Sequence, residues 1–232
     1  MPPQKGHRLP YAVVAGVAPT ASGWLVASAK LRGATFAPEE PRLFDSFREV
    51  LDVRPSFQII VVDVPIGSLD APSIEPRSCD REAHALLAGH ESAFRRDSLL
   101  GGIDLEDGLH FAGGDFLIER WREVAREMSP SSQRVVYEGL PDLSFYQLNE
   151  YETPLWSSDC DEGRDERRTM LERKVPGVAR VLDAELLGVV PRELSDVAAL
   201  LWTARRVFGH SAARLPSEGE WDSRGLRMEL VM

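Results

Sequence analysis

Short, nearly unbroken apolar runs alternate along this chain with longer stretches in which apolar side chains recur every three or four residues. Tyr11 to Val17 is the first run, and its length suits a strand buried on both faces. Ala18 to Gly23 is turn by composition, and Trp24 to Leu31 predicts a second strand returning beside the first as a hairpin. A short third strand is predicted near Ala34 to Ala37. Leu43 to Val53 carries Phe44, Phe47, Val50 and Leu51 at helical spacing. Phe57 to Val64 is the clearest buried strand, and Pro65 stops it.

Beyond Pro65 helical and strand patterns alternate. Cys79 to Ala88 predicts a helix with Ser78 as N-cap and Gly89 just past its end. Residues 98–114 are glycine-rich and follow neither period. Phe116 to Met128 is predicted helical, Arg134 to Glu138 a strand, Leu143 to Leu148 a short helix, and Gly163 to Lys174 a charged helix. Leu194 to Phe208 predicts a long helix capped by Ser195 and closed by Gly209. Leu226 to Val231 predicts a last strand or docking tail. Three early strands followed by alternation point to the α/β class, a mixed sheet flanked by helices. Residues 1–9 read as a flexible tail and 10–232 as a single domain.

With 43% hydrophobic and 28% charged residues, the 232-residue chain has ample material for a core. Its formal net charge of −10 argues against wrapping long nucleic acid, which neutralises phosphates with basic surface. It leaves room for an acidic metal site. No apolar run spans a bilayer, and the first ten residues hold no secretory h-region. Cys79 and Cys160 fit neither a metal spacing nor a disulfide framework. A cytoplasmic protein, with no membrane partner, is the expectation.

Three carboxylates stand out. Asp63 closes the apolar run Ile59 to Val62, and ligands of open α/β sheets collect outside such strand ends. Glu138 ends Arg134 to Tyr137 in the same way. Asp196 follows Ser195 at the predicted start of the long helix, where the helix dipole favours an acid in any case. Together the three suit a hard divalent cation, Mg²⁺ or Mn²⁺, able to activate water and steady the leaving oxygen of a phosphodiester.

The segment DVPIG (Asp63 to Gly67), followed by PRSCDREAHALL (Pro76 to Leu87), resembles the signature of the bacterial domain-of-unknown-function 429 family. VAGVAPTASGWLVA (Val14 to Ala27), YEGLPDLSF (Tyr137 to Phe145), GRDERRTML (Gly163 to Leu171), SDVAALLWTARR (Ser195 to Arg206) and RGLRMEL (Arg224 to Leu230) extend the resemblance in order. That family is described as predicted nucleases, and the resemblance implies an RNase H-like fold. It also implies an acidic metal site whose last three ligands fall on Asp63, Glu138 and Asp196. The first falls on Ala18, which cannot ligate a metal. Other departures are Leu140 in place of a histidine, Trp156-Ser157-Ser158-Asp159 in place of a lysine, and Arg95-Arg96-Asp97 in place of a proline-rich turn.

Arg77 and Arg81 are candidates to face the acidic site and hold a phosphate. Against this, Asp80-Arg81-Glu82 also reads as a solvated helix start. Arg164, Arg167 and Arg168, interleaved with Asp165 and Glu166, read as a solvated face. His84, His90, His110 and His210 have no ligand-like spacing. Asp222 and Glu229 are acids that could stand in for the missing ligand. Two functional expectations follow. One is a divergent metal-dependent nuclease weakened by the loss at Ala18. The alternative is a catalytically silent protein of the same fold that binds a nucleotide, nucleic acid or protein partner.

Overall fold

A computed structural model describes residues 10–68, 76–87 and 116–232. The predicted tail 1–9, Gly89, His90, the Ser92 to Asp97 segment, His110 and the glycine-rich stretch 98–114 lie outside the described residues.

The opening hairpin pairs β1 (Ala12–Thr20) with β2 (Gly23–Arg32) in antiparallel register. β1 continues through Ala18 and Pro19, where the composition predicts a turn. Proline is tolerated there for a reason visible in the ladder. Val13 and Val17 carbonyls face β5 (Ile59–Val62), accepting from Gln58 N and Asp63 N. Pro19 has the same orientation but lies beyond the end of β5, so its missing N–H leaves no ladder bond unmade. The turn shrinks to Ala21-Ser22 and closes on Gly23 at φ +144°, where a Cβ would strike the Phe44 carbonyl oxygen at 2.3 Å.

β3 (Thr35–Pro38) and β4 (Arg42–Phe44) both add to β2. β4 takes the first residues of the predicted helix 43–53, so α1 is only Phe47–Asp52, capped by Ser46 Oγ accepting from Glu49 N. Then follow α2 (Ser78–Leu86), α3 (Phe116–Glu127), β6 (Val136–Gly139), α4 (Pro141–Leu148), α5 (Asp161–Lys174), α6 (Ala179–Leu182), α7 (Pro191–Phe208), β7 (Arg214–Leu215) and β8 (Leu230–Val231). The last predicted strand is thus two residues long. The sheet order is β3-β2-β1-β5-β6-β8-β7, with β1, β5, β6 and β8 parallel and the remaining pairs antiparallel. An antiparallel triplet continued by parallel strands, with helices on both faces, is the RNase H-like mixed sheet expected.

Several helix starts differ from the sequence reading. Arg77, not Ser78, is the N-cap of α2. The Cys160 thiol caps α5 by accepting from Gly163 N at 3.4 Å. α7 begins at Pro191, because proline suits the first helical turn and Glu193 Oε2 accepts from Val190 N at 2.9 Å. Ser195 and Asp196 therefore lie in the second turn, and Ser195 Oγ bonds the Pro191 carbonyl instead of capping.

Side chains alternate between the sheet's two faces. Val14, Ala18, Ile59 and Val61 pack with α7, α4 and α5 on one side; Val13, Val17, Ile60, Val62 and Val136 pack with α1 and α3 on the other. α7 presses so close to β1 that a Cβ on Gly16 would lie 2.3 Å from Leu201 N and 2.4 Å from the Val197 carbonyl oxygen. Glycine is required at this crossing. It draws the N-terminal turns of α7 down onto the strand ends.

Candidate functional site

The parallel ladder brings Ala18, Asp63 and Glu138 to one end of the sheet. Val17 pairs with Val62, so Ala18 stands beside Asp63, whose N–H donates to the Val17 carbonyl at 3.0 Å. Ala18 is buried on the α7 face. Asp196 descends from α7 to the same end. It carries an 18% exposed side chain 3.5 Å from Arg192 Nε.

Asp196 is the strongly perturbed acid of this group. Burial pushes its carboxyl up from 3.8 to about 7. Arg192 and Arg167 pull it back, while the negative charges of Asp142 and Asp63 push it further up. Asp63 and Asp142 are therefore in electrostatic reach of Asp196. Two arginines balance these acids. Arg192 bridges Asp196 and Asp159, the latter at 2.8 Å. Arg167 lies 3.6 Å from Asp142 and stacks over Phe145, with its side chain 1% exposed. The predicted solvated face of α5 thus holds for Arg164 and Arg168 but not for Arg167, whose position on the helix points it inward.

Glu138 goes elsewhere. It is register partner to Val62, so it projects with Val62 and Val136 on the face away from α7. There it meets Arg77, which is buried with it at 1% side-chain exposure. Glu138 Oε1 accepts from Arg77 Nη2 at 2.6 Å, and Oε2 accepts from Arg77 Nη1 at 3.0 Å and from Ile66 N at 2.7 Å. On its other edge the guanidinium grips Asp80, through Nε at 2.6 Å and Nη2 at 2.9 Å. Its Nη1 also donates to the Ile66 and Gly67 carbonyls at 3.0 and 3.1 Å. Burial alone would lower the Arg77 pKa. Glu138 and Asp80 more than offset this and hold it well above its ordinary value.

Arg77 is thus committed to carboxylates and carbonyls. Arg81 is exposed and bonds Ser78 Oγ at 3.2 Å. The solvated reading of the α2 start fails at Asp80, which is buried because Arg77 draws it in. Of the tail acids, Asp222 Oδ1 accepts from Arg224 N and Leu226 N within its own turn, and Glu229 is paired with Arg214 and Arg227.

A divalent cation would need carboxylate oxygens free to converge on it. Glu138 does not fit that requirement, since both its oxygens are already bonded, and Ala18 offers a methyl group. Among the described residues no three His, Cys, Asp or Glu side chains are gathered as metal ligands.

Residues 16–97 match the model of a family described as Protein of unknown function (DUF429). This bears out the resemblance carried by DVPIG and PRSCDREAHALL. The DUF429 match spans Gly16, Ala18, Asp63, Arg77 and Asp80, and stops before Glu138, Asp142 and Asp196. No curated protein and no solved structure matches the chain. The DUF429 description itself names no activity. Among the described residues no helix is long and apolar enough to cross a membrane.

The sequence reading missed Asp142, Asp159, Arg167 and Arg192. A signal existed for Asp142, which follows Pro141 at a helix start just after the Glu138 strand. None existed for Arg192 or Asp159, which meet only because the loop before α5 closes on the first turn of α7.

Proposed function

We propose that this chain is an RNase H-like protein without two-metal hydrolysis, whose strand-end cleft serves to bind a protein partner. The observation that carries this reading is the division of its acids. Glu138 is turned to one face of the sheet and bonded there, while Asp142 and Asp196 lie on the other side against Arg167 and Arg192, with Asp63 in electrostatic reach of Asp196.

Binding is favoured by what surrounds the cleft. Leu155 and Trp156 before α5, and Leu187 and Val190 before α7, are all exposed. The loop before α5 is tied to the first turn of α7 by the Arg192–Asp159 pair. Exposed apolar side chains around a polar floor are the make-up of a protein contact surface. The alternative ligands, nucleotide and nucleic acid, are disfavoured by carboxylates in the cleft and by the net charge of −10.

The test is hydrolysis of single- and double-stranded DNA and RNA oligonucleotides in 5 mM Mg²⁺ or Mn²⁺. The wild-type chain is expected to leave all of them intact. Ala18→Asp is expected to leave them intact too, because the new carboxylate does not release Glu138. Metal-dependent cleavage by the wild type that disappears in Asp63→Asn refutes the proposal.

A further inference from the structure

We infer that the end of the sheet opposite the cleft carries a second binding site, a cavity that takes a small aromatic carboxylate. It goes beyond the partner-binding reading and shares no residue with that surface.

Register places the cavity. Val13 and Lys30 are partners across β1 and β2, and Val26 and Arg42 across β2 and β4, so all four project on one face of the sheet. That face is the α1 and α3 side, where Val13 and Val26 join the core. α1 stops at Asp52, and the chain returns towards β5 through Val53 to Phe57. This return, the start of β1 and the outer strands enclose a cavity of about 380 Å³, an ordinary size for a small-molecule site. Val13 and Phe57, both buried, supply an apolar floor, and Tyr11 supplies an aromatic wall.

The charges around this floor are not balanced. Glu39 is spent within the wall, accepting from Ser28 Oγ through Oε2 at 3.1 Å and from Lys30 Nζ through Oε1 at 2.6 Å. Lys30 and Glu39 therefore cancel. Of the charges that remain, Arg42 and Arg54 outnumber Glu40. Arg42 makes no ion pair among the described residues, and its guanidinium lies 5.0 Å from the Phe44 ring centroid. Arg54 uses Nη1 alone, donating to the Asp52 and Val53 carbonyls at 3.0 and 2.9 Å and to Ser56 Oγ at 3.2 Å. These bonds fix its guanidinium at the rim and leave Nε and Nη2 to offer to a ligand. In a chain of net charge −10, this is a local surplus of positive charge beside apolar surface.

That pairing selects the ligand. A carboxylate accepts charge-assisted hydrogen bonds from the arginines, while an aromatic ring covers Val13, Phe57 and Tyr11. Inorganic phosphate would leave the floor bare, and an organic cation would meet two guanidinium groups.

Isothermal titration calorimetry of the full chain with 2-naphthoate, 2-naphthamide and inorganic phosphate tests this. Naphthoate is expected to bind about tenfold or more tightly than the uncharged amide, and phosphate more weakly than naphthoate. Arg42→Gln and Arg54→Gln are each expected to weaken naphthoate by about fivefold to tenfold or more and to leave the amide unchanged. Both side chains are exposed, and circular dichroism checks that each variant folds. If Arg54→Gln does not fold, Arg42→Gln alone decides, because Arg42 holds no hydrogen bond of the fold among the described residues.

No naphthoate binding at concentrations up to about 10 mM overturns the proposal, as does equal affinity for acid and amide. So does naphthoate binding that survives unchanged in the folded arginine variants, or phosphate binding as tight as that of naphthoate. None of these results touches the strand-end cleft, and nuclease activity through Asp63 would leave this cavity standing, so the two readings fail separately.

Discussion

Replacing Asp196 by asparagine removes a carboxyl group that folding makes hard to ionise. In the unfolded chain this group titrates near 3.8; in the folded protein burial raises it to about 7, with Arg192 and Arg167 opposing and Asp142 and Asp63 reinforcing the rise. Between those values the folded state holds a proton that the unfolded state has released. The contribution of this group is therefore least unfavourable below 3.8 and grows more costly as pH rises towards 7, after which the full cost is present. At about 1.4 kcal/mol for each factor of ten in proton affinity, that cost is on the order of 4 kcal/mol at pH 8.5 and less than half of that at pH 5. Asparagine keeps the shape and has nothing to ionise. Asp196→Asn is thus expected to be more stable than the wild type by up to these amounts, with the gap widening from pH 5 to pH 8.5. Urea unfolding followed by circular dichroism at both pH values measures it. A variant that is less stable than the wild type at pH 8.5, or that differs from it equally at both pH values, refutes the reasoning. A side chain kept at such a cost to stability is the kind selected for a task other than holding the fold together.

Two further outcomes test the scaffold beneath the cleft. Gly16→Ala is expected to lower stability by about 3 kcal/mol or more, because its methyl group would meet α7 backbone at 2.3–2.4 Å, and a thermal melt of the purified variant checks this. Glu123→Ala strips the acceptor from Trp24 Nε1 and Phe47 N, now bonded at 2.8 and 3.0 Å, and is expected to cost about 1–3 kcal/mol for each donor left without a partner. Denaturant unfolding beside Glu123→Gln, which keeps one acceptor, reads that loss.

What could be read from residues alone follows from which interactions are local. The runs at Tyr11 to Val17 and Phe57 to Val64 are apolar enough to be strands in any context, and the mixed sheet follows from their order. Asp63 is legible because its place at a strand end depends only on its neighbours. The length of β1 was not legible, since Pro19 is harmless only because β5 happens to end one step earlier. Ser195 looks like a cap and puts Asp196 one turn too near the helix terminus, whereas Pro191 and Glu193 begin the helix sooner. Glu138 looks equivalent to Asp63 because both end strands. Which face a strand-end side chain takes depends on register, and register is set between strands. Arg77 is the sharpest instance. Nothing in the string PRSCDREAH distinguishes a solvated arginine from one buried against a glutamate sixty-one positions away.

The lie of β8 between β6 and β7 bears on how the chain reaches this state. Glu138 pairs with Leu230, so the outer edge of β6 is covered only when a segment far downstream arrives. Until then any partly folded form presents open β6 backbone, flanked by the apolar Val136 and Leu140, for pairing with another chain. Long-range closure of this kind slows folding, and the two short ladders that complete the sheet are its last guard against association with neighbours.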